Sequence, residues 1–138
     1  MTPPRVTKRQ YEALADFRYR LRRFLRYSER ITREHGMTPL QYQLLLQIRG
    51  YPGREWATVT ELAERLQAAH HGVVSLVTRC ESAGLVVRET NENNRRVVHV
   101  KLTAKGERAI EHLAGLHRDE LLRHQKQLIV AGLKSQDE

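Results

Sequence analysis

The chain has 138 residues, one cysteine, 6% aromatic and 29% charged residues, and a formal net charge of +8. That length supports one domain with its own core and excludes two catalytic lobes, the lone cysteine excludes an internal disulfide, and no apolar run reaches the ~18–20 residues of a membrane span. The polar first residues are not a signal peptide, so the expected compartment is the cytoplasm, and the basic balance favours a polyanionic partner.

Residues 1–8, with Pro3-Pro4, read as a frayed arm. A long helix is predicted from Gln10 to Glu34, where Leu14, Phe17, Leu21, Phe24, Leu25 and Ile31 recur at helical spacing. Arginines crowd its other faces. Residues 1–36 hold ten Lys/Arg against four acids, which is +6 of the net +8. The charge therefore argues for a polyanion without locating its site. Gly36 ends this helix, and Thr38, Pro39 and Gln41 spell the start of the next, with a capping box and a proline at the first helical position. Met37 and Tyr42 are spaced as a hydrophobic staple. This second helix runs Pro39 to Arg49, with Leu40, Leu44, Leu45 and Ile48 inward, until Gly50-Tyr51-Pro52-Gly53 breaks it. Trp56 is expected to pack at the edge of the core, because a base-stacking platform needs several aromatics on one sheet.

The stretch from Thr58 to Thr103 is the most informative. Thr58 and Thr60 can each cap a third helix, and Thr58 has Glu61 at capping-box spacing. Leu62, Ala63 and Leu66 face inward, a tight turn follows near Gln67-Ala68-Ala69, and a fourth helix runs to Ser82, stopped by Gly84 in a left-handed conformation. On that fourth helix Ala69, Val73, Leu76, Val77 and Cys80 form one apolar stripe, while His71, Ser75, Thr78 and Ser82 fall opposite. The polar side carries no carboxylate, as a helix entering a phosphate-lined groove requires. An ordinary amphipathic surface helix has the same periodicity, so the flanking elements decide. Leu85 to Glu89 reads as a strand and Val97 to Leu102 as its partner, in which Val98, Val100 and Leu102 alternate with Val97, His99 and Lys101. The loop Asn91 to Arg96 between them is polar and too long for a two-residue turn. Helix, turn, helix and hairpin in this order make a DNA-reading layout.

The segments TVTELAERL, then V-x-x-L-V-x-R-x-x-x-x-G-L-V, then N-x-R-x-V-x-V-K-L-T-x-x-G resemble the MarR family of winged-helix transcription regulators, most closely from Thr58 to Gly106. The resemblance implies a mainly α fold with a small β-hairpin wing, one domain over residues 1–138. In it a winged helix-turn-helix (38–103) is flanked by dimerisation helices (10–36 and 104–134). It implies a homodimer on a pseudo-palindromic DNA duplex, usually as a repressor. His70, His71, Val74, Ser75, Thr78 and Arg79 would face DNA from the recognition helix, and Asn94, Arg95 and Arg96 from the wing. Arg96 would enter the minor groove and Arg95 would meet phosphate. Arginine suits that groove because narrow A·T-rich stretches concentrate negative potential. The resemblance also favours Thr60 as the cap of the third helix. A small aromatic or acidic effector would sit between the dimerisation helices and the winged domain, near Tyr19, Arg23, Tyr27 and Tyr42. Two departures stand out: Asn94 occupies a position where the family usually has Asp, and Ala69 one where it usually has Ser. The last helix is capped by Thr103 and runs from Ala104 to about Lys126. Its seam of Ile110, Leu113, His117, Leu121, His124 and Leu128 is too long for the small winged core to cover.

Other chemistries find no support. His70-His71 point to different faces, and His117 and His124 stand two turns apart, roughly 10 Å, so no metal site is expected. His117-Arg118-Asp119 spells a kinase triplet, but position 124 is His where Asn is required and no Gly-rich loop exists. Cys80 belongs to the apolar stripe and is expected to be a small core residue. No nucleophile–base–orienter set can be assembled, so neither enzyme activity nor a cofactor is expected. A winged helix used for protein interaction, or an architectural DNA binder without effector, are the rival readings.

Overall fold

The computed structural model describes residues 4–124 and Leu133. Its elements are α1 (Lys8–Glu34), α2 (Pro39–Arg49), β1 (Trp56–Ala57), α3 (Val59–Leu66), α4 (His70–Ser82), β2 (Val86–Thr90), β3 (Val98–Leu102) and α5 (Ala104–Arg123). Helix starts follow local chemistry. Thr7 with Gln10, Thr38 with Gln41 and Thr58 with Glu61 each form a reciprocal capping box, and the Thr103 hydroxyl accepts from the Gly106 N–H. Such caps satisfy orphan amides and contribute ~1 kcal/mol each. The Thr7 box starts α1 at Lys8, two residues before the expected Gln10. Thr58, not Thr60, caps α3.

The strands form one antiparallel sheet in the order β1-β3-β2. The wing hairpin is in register from Val86↔Leu102 to Thr90↔Val98, and β1 adds Trp56↔Lys101 and Ala57↔Val100. Strand β1, two residues long, is too short for alternation to be read in sequence. Leu44, Leu45, Ile48, Leu62, Val77, Cys80 and Val100 are fully buried where α2, α3, α4 and the sheet converge. Ile31 of α1 and Ile110 and Leu113 of α5 extend this core outward.

Five side chains predicted to lie inward are exposed. Leu40 sits in the first turn of α2, and Ala69 is the N-cap of α4, ahead of the face that packs. Leu121 lies on the open outer end of α5, and Leu14 and Leu25 of α1 are likewise uncovered. Leu128 and the expected extension of the last helix lie outside the described residues. Trp56 is half-buried at the sheet edge, its ring stacked on His99 at 3.5 Å.

His117 joins the terminal helices to the winged half. It is 6% exposed. Its Nδ1–H donates to the Leu113 carbonyl at 2.7 Å, because a carbonyl only accepts, leaving Nε2 to accept from the Ser28 hydroxyl at 2.7 Å. The ring stacks on Tyr42 of α2 at 4.5 Å and meets Phe24 and Tyr27 of α1 edge-on. One side chain of α5 thus fixes α1 and α2 at once.

Candidate nucleic-acid interface

Helix α4 is set by its two ends and one buried face. The turn before it passes through Gln67, the one non-glycine residue at positive φ (51°) among the described residues, whose side-chain amide donates back to Glu64 O at 2.7 Å. At the far end Gly84 adopts φ 76°; its N–H bonds Glu81 O and the Leu85 N–H bonds Cys80 O, the paired C-terminal bonds that need a residue free of Cβ crowding. Val73, Leu76, Val77 and Cys80 are buried beneath. Burial pushes the Cys80 thiol up to about 11, against the lowering pull of Arg79, so the neutral thiol behaves as a small apolar residue.

The exposed side carries His70, His71, Val74, Ser75, Thr78 and Arg79 together. Ala69 supplies no side-chain cap, so the first amides of α4 keep their hydrogen-bonding capacity and the positive end of the helix dipole stays open. Ser75 and Thr78 differ. Among the described residues no partner engages the Ser75 hydroxyl, whereas Thr78 Oγ1 donates to Val74 O at 3.0 Å and accepts from Arg88 Nη2 at 3.0 Å. Arg88 is a residue the sequence reading missed. It comes from β2, and its Nη1 also pairs with Glu81 Oε1 at 2.9 Å while its own N–H reaches Glu81 Oε2.

The wing tip holds itself by backbone and asparagine bonds. Asn91 Oδ1 accepts from Asn93 N–H at 2.9 Å, and Asn94 Oδ1 accepts from Arg96 N–H at 3.0 Å. Asn91 and Val97 bond across the neck of the loop. Asn94 thus fixes the backbone of Arg96 and not its guanidinium. Arg95 and Arg96 are exposed, and among the described residues no carboxylate pairs with either. Below the wing, Arg54 packs on the rings of Tyr51 and Trp56 and pairs with Glu61, whose carboxylate also takes the Tyr51 hydroxyl. That cluster ties the loop before β1 to the start of α3.

The comparisons agree with this layout. A profile of the MarR family matches residues 35–97, which run from before α2 to the end of the wing loop. An HTH-type transcriptional regulator of Bacillus cereus is 33% identical over 96 residues, covering 67% of this chain. Among solved structures, a MarR family protein from Bacillus stearothermophilus superposes with a TM-score of 0.74 at 28% identity, covering 86% of this chain and 81% of its own. AbsC, a MarR family transcriptional regulator from Streptomyces coelicolor, shares the fold with a TM-score of 0.76 at 23% identity over 94% of this chain and 86% of its own. Over its winged half the chain matches the MarR family, and it shares the fold of MarR family proteins. It spans 61% of the length of the Bacillus cereus relative.

The four residues expected around an effector are not brought together. A cavity of about 700 Å³ lies between α1 and α5, lined by Arg20, Arg23, Arg26, Tyr27, Arg30 and Arg33 with Glu29, Glu120 and apolar walls from Phe24 and Leu121. Arg23 and Tyr27 face it. Tyr19 is exposed outside it, with the Arg23 guanidinium 5.8 Å from its ring. Tyr42 is buried under His117, since helical spacing puts it on the same inward side of α2 as Leu45, and burial raises its pKa. Among the described residues no helix is long and apolar enough to cross a membrane, and no cluster of three metal-ligating side chains occurs.

Proposed function

We propose that this protein binds duplex DNA as a homodimer and regulates transcription from the cytoplasm, as a repressor of nearby genes. The observation that carries the reading is the pairing of α4, whose exposed side offers histidines, Ser75 and open helix-end amides, with a wing tip that presents Arg95 and Arg96 unpaired among the described residues. A helix of this kind enters the major groove while the wing arginine meets phosphate or the minor groove. Residues 38–103 would be the reading unit, with residues 10–36 and 104–134 as dimerisation helices. Tyr11, Leu14, Leu25, Leu121 and Leu122 are exposed on α1 and α5, a set of large apolar side chains that a second copy would cover. Two reading units related by a two-fold axis fit a pseudo-palindromic site with half-sites one helical turn or a multiple apart.

The cavity between α1 and α5 favours an effector that is acidic and carries an apolar or aromatic body, held by Arg23 and Tyr27. Such a ligand would act only through its differential affinity for the two shapes of the dimer. Footprinting on the DNA flanking the protein's own gene at two salt concentrations, with the mass of the free protein measured alongside, tests the whole reading. Protection of a two-fold site that weakens with salt, from a protein of dimer mass, is expected. A monomer that protects nothing overturns it.

A further inference from the structure

Glu81 is the only carboxylate in α4, and the geometry points to Arg88 as the positioning residue that makes the recognition helix fit to approach DNA. The inference rests on the DNA-binding reading above. Val74, Thr78 and Glu81 follow one another at helical spacing along the flank of α4 that faces the wing, and Arg88 reaches all three from the middle of β2. Its Nη1 holds Glu81 Oε1 at 2.9 Å, its backbone N–H reaches Oε2 at 3.3 Å, and its Nη2 spans Val74 O at 3.3 Å and Thr78 Oγ1 at 3.0 Å.

Two consequences follow from these bonds. The first is electrostatic: an unpaired Glu81 would set a negative charge on the reading helix where phosphates arrive, and Arg88 cancels it. The second concerns hydrogen-bond capacity. The Thr78 hydroxyl spends its one hydrogen on Val74 O and one lone pair on Arg88, so it has no donor left for a base edge. Thr78 therefore serves as part of the clamp, and Ser75 is left as the free hydroxyl on this face. The clamp also ties α4 to the strand that carries the wing, so helix and wing approach the duplex in a fixed relation.

A charge cycle on a 30-base-pair duplex of random sequence tests this without knowledge of the operator. Arg88→Ala exposes Glu81 and is expected to lose about tenfold in affinity at low salt and to flatten the log-affinity versus log-salt slope by up to ~0.9 per subunit. Glu81→Gln frees Arg88 and should steepen the slope by a similar amount. The double variant carries neither charge and should return to within about threefold of the unaltered protein, because the pair contributes no net charge. If the double variant stays as weak as Arg88→Ala, Arg88 contacts the duplex itself and the positioning role is wrong. Should Arg88→Ala fail to fold, Glu81→Gln alone decides: an unchanged slope overturns the proposal. Arg95→Ala/Arg96→Ala serves as the control. Loss of binding there with no change in the clamp variants defeats only this inference, while no duplex binding by the unaltered protein defeats the DNA reading with it.

Discussion

Helix α4 buries Val73, Leu76, Val77 and Cys80 in the core and is clamped on its flank by Arg88, whereas the wing tip from Asn91 to Val97 is held by its own backbone and two asparagine side chains. The difference matches what the proposed function asks of each. A helix that reads base edges has to arrive at a fixed angle, since a bidentate or hydroxyl contact is lost with small displacements. An arginine drawn into a negative groove tolerates a looser mount, because its attraction is long-ranged and depends on charge more than on register. Stability and binding should therefore separate between the two regions, strongly coupled in α4 and nearly independent in the wing.

Leu76→Ala gives the largest expected effect. It opens a cavity under α4 and should cost ~2–5 kcal/mol in denaturant unfolding, with duplex binding falling in step. Unchanged stability would mean that α4 is not seated as described. Gly106→Ala comes next. A Cβ there would lie 2.1 Å from the Leu85 carbonyl, at the junction of α4, β2 and α5, so the backbone must move. Overpacking of this kind costs ~1–3 kcal/mol, and the variant should unfold at lower temperature. A Gly106→Ala protein as stable as its parent would place the junction elsewhere.

Much of this was legible in sequence where the signal is local. Thr38-Pro39 with Gln41 marked the start of α2, Gly84 marked the end of α4, and the alternation in Val98–Leu102 marked the wing. The contacts that complete the site are not local. Arg88 meets Thr78 across ten positions and a chain reversal, so nothing in the spacing announces it. Tyr42 reads as a pocket aromatic until α5 places His117 on it. Strand β1, two residues long, is defined by its partner β3 and not by its own pattern. The Ala69 departure was visible, and its structural meaning is an uncapped helix.

Ala69→Ser carries the smallest expected effect and sharpens the same comparison. A serine at the N-cap would satisfy one open amide and raise stability by ~0.5–2 kcal/mol, measured as a shift of the urea midpoint. No gain would show that the first turn of α4 is already satisfied in solution.

The most direct test of the DNA reading compares Arg96→Ala with Ser75→Ala in a salt series on the footprinted duplex. Arg96→Ala should leave thermal stability unchanged and flatten the slope by ~0.9 for each arginine withdrawn from the duplex. Ser75→Ala should hold the slope and lose ~1–3 kcal/mol of discrimination at one or two base pairs in each half-site. A slope untouched by Arg96→Ala, together with sequence preference untouched by Ser75→Ala, would contradict the assignment of α4 and the wing as the reading surface.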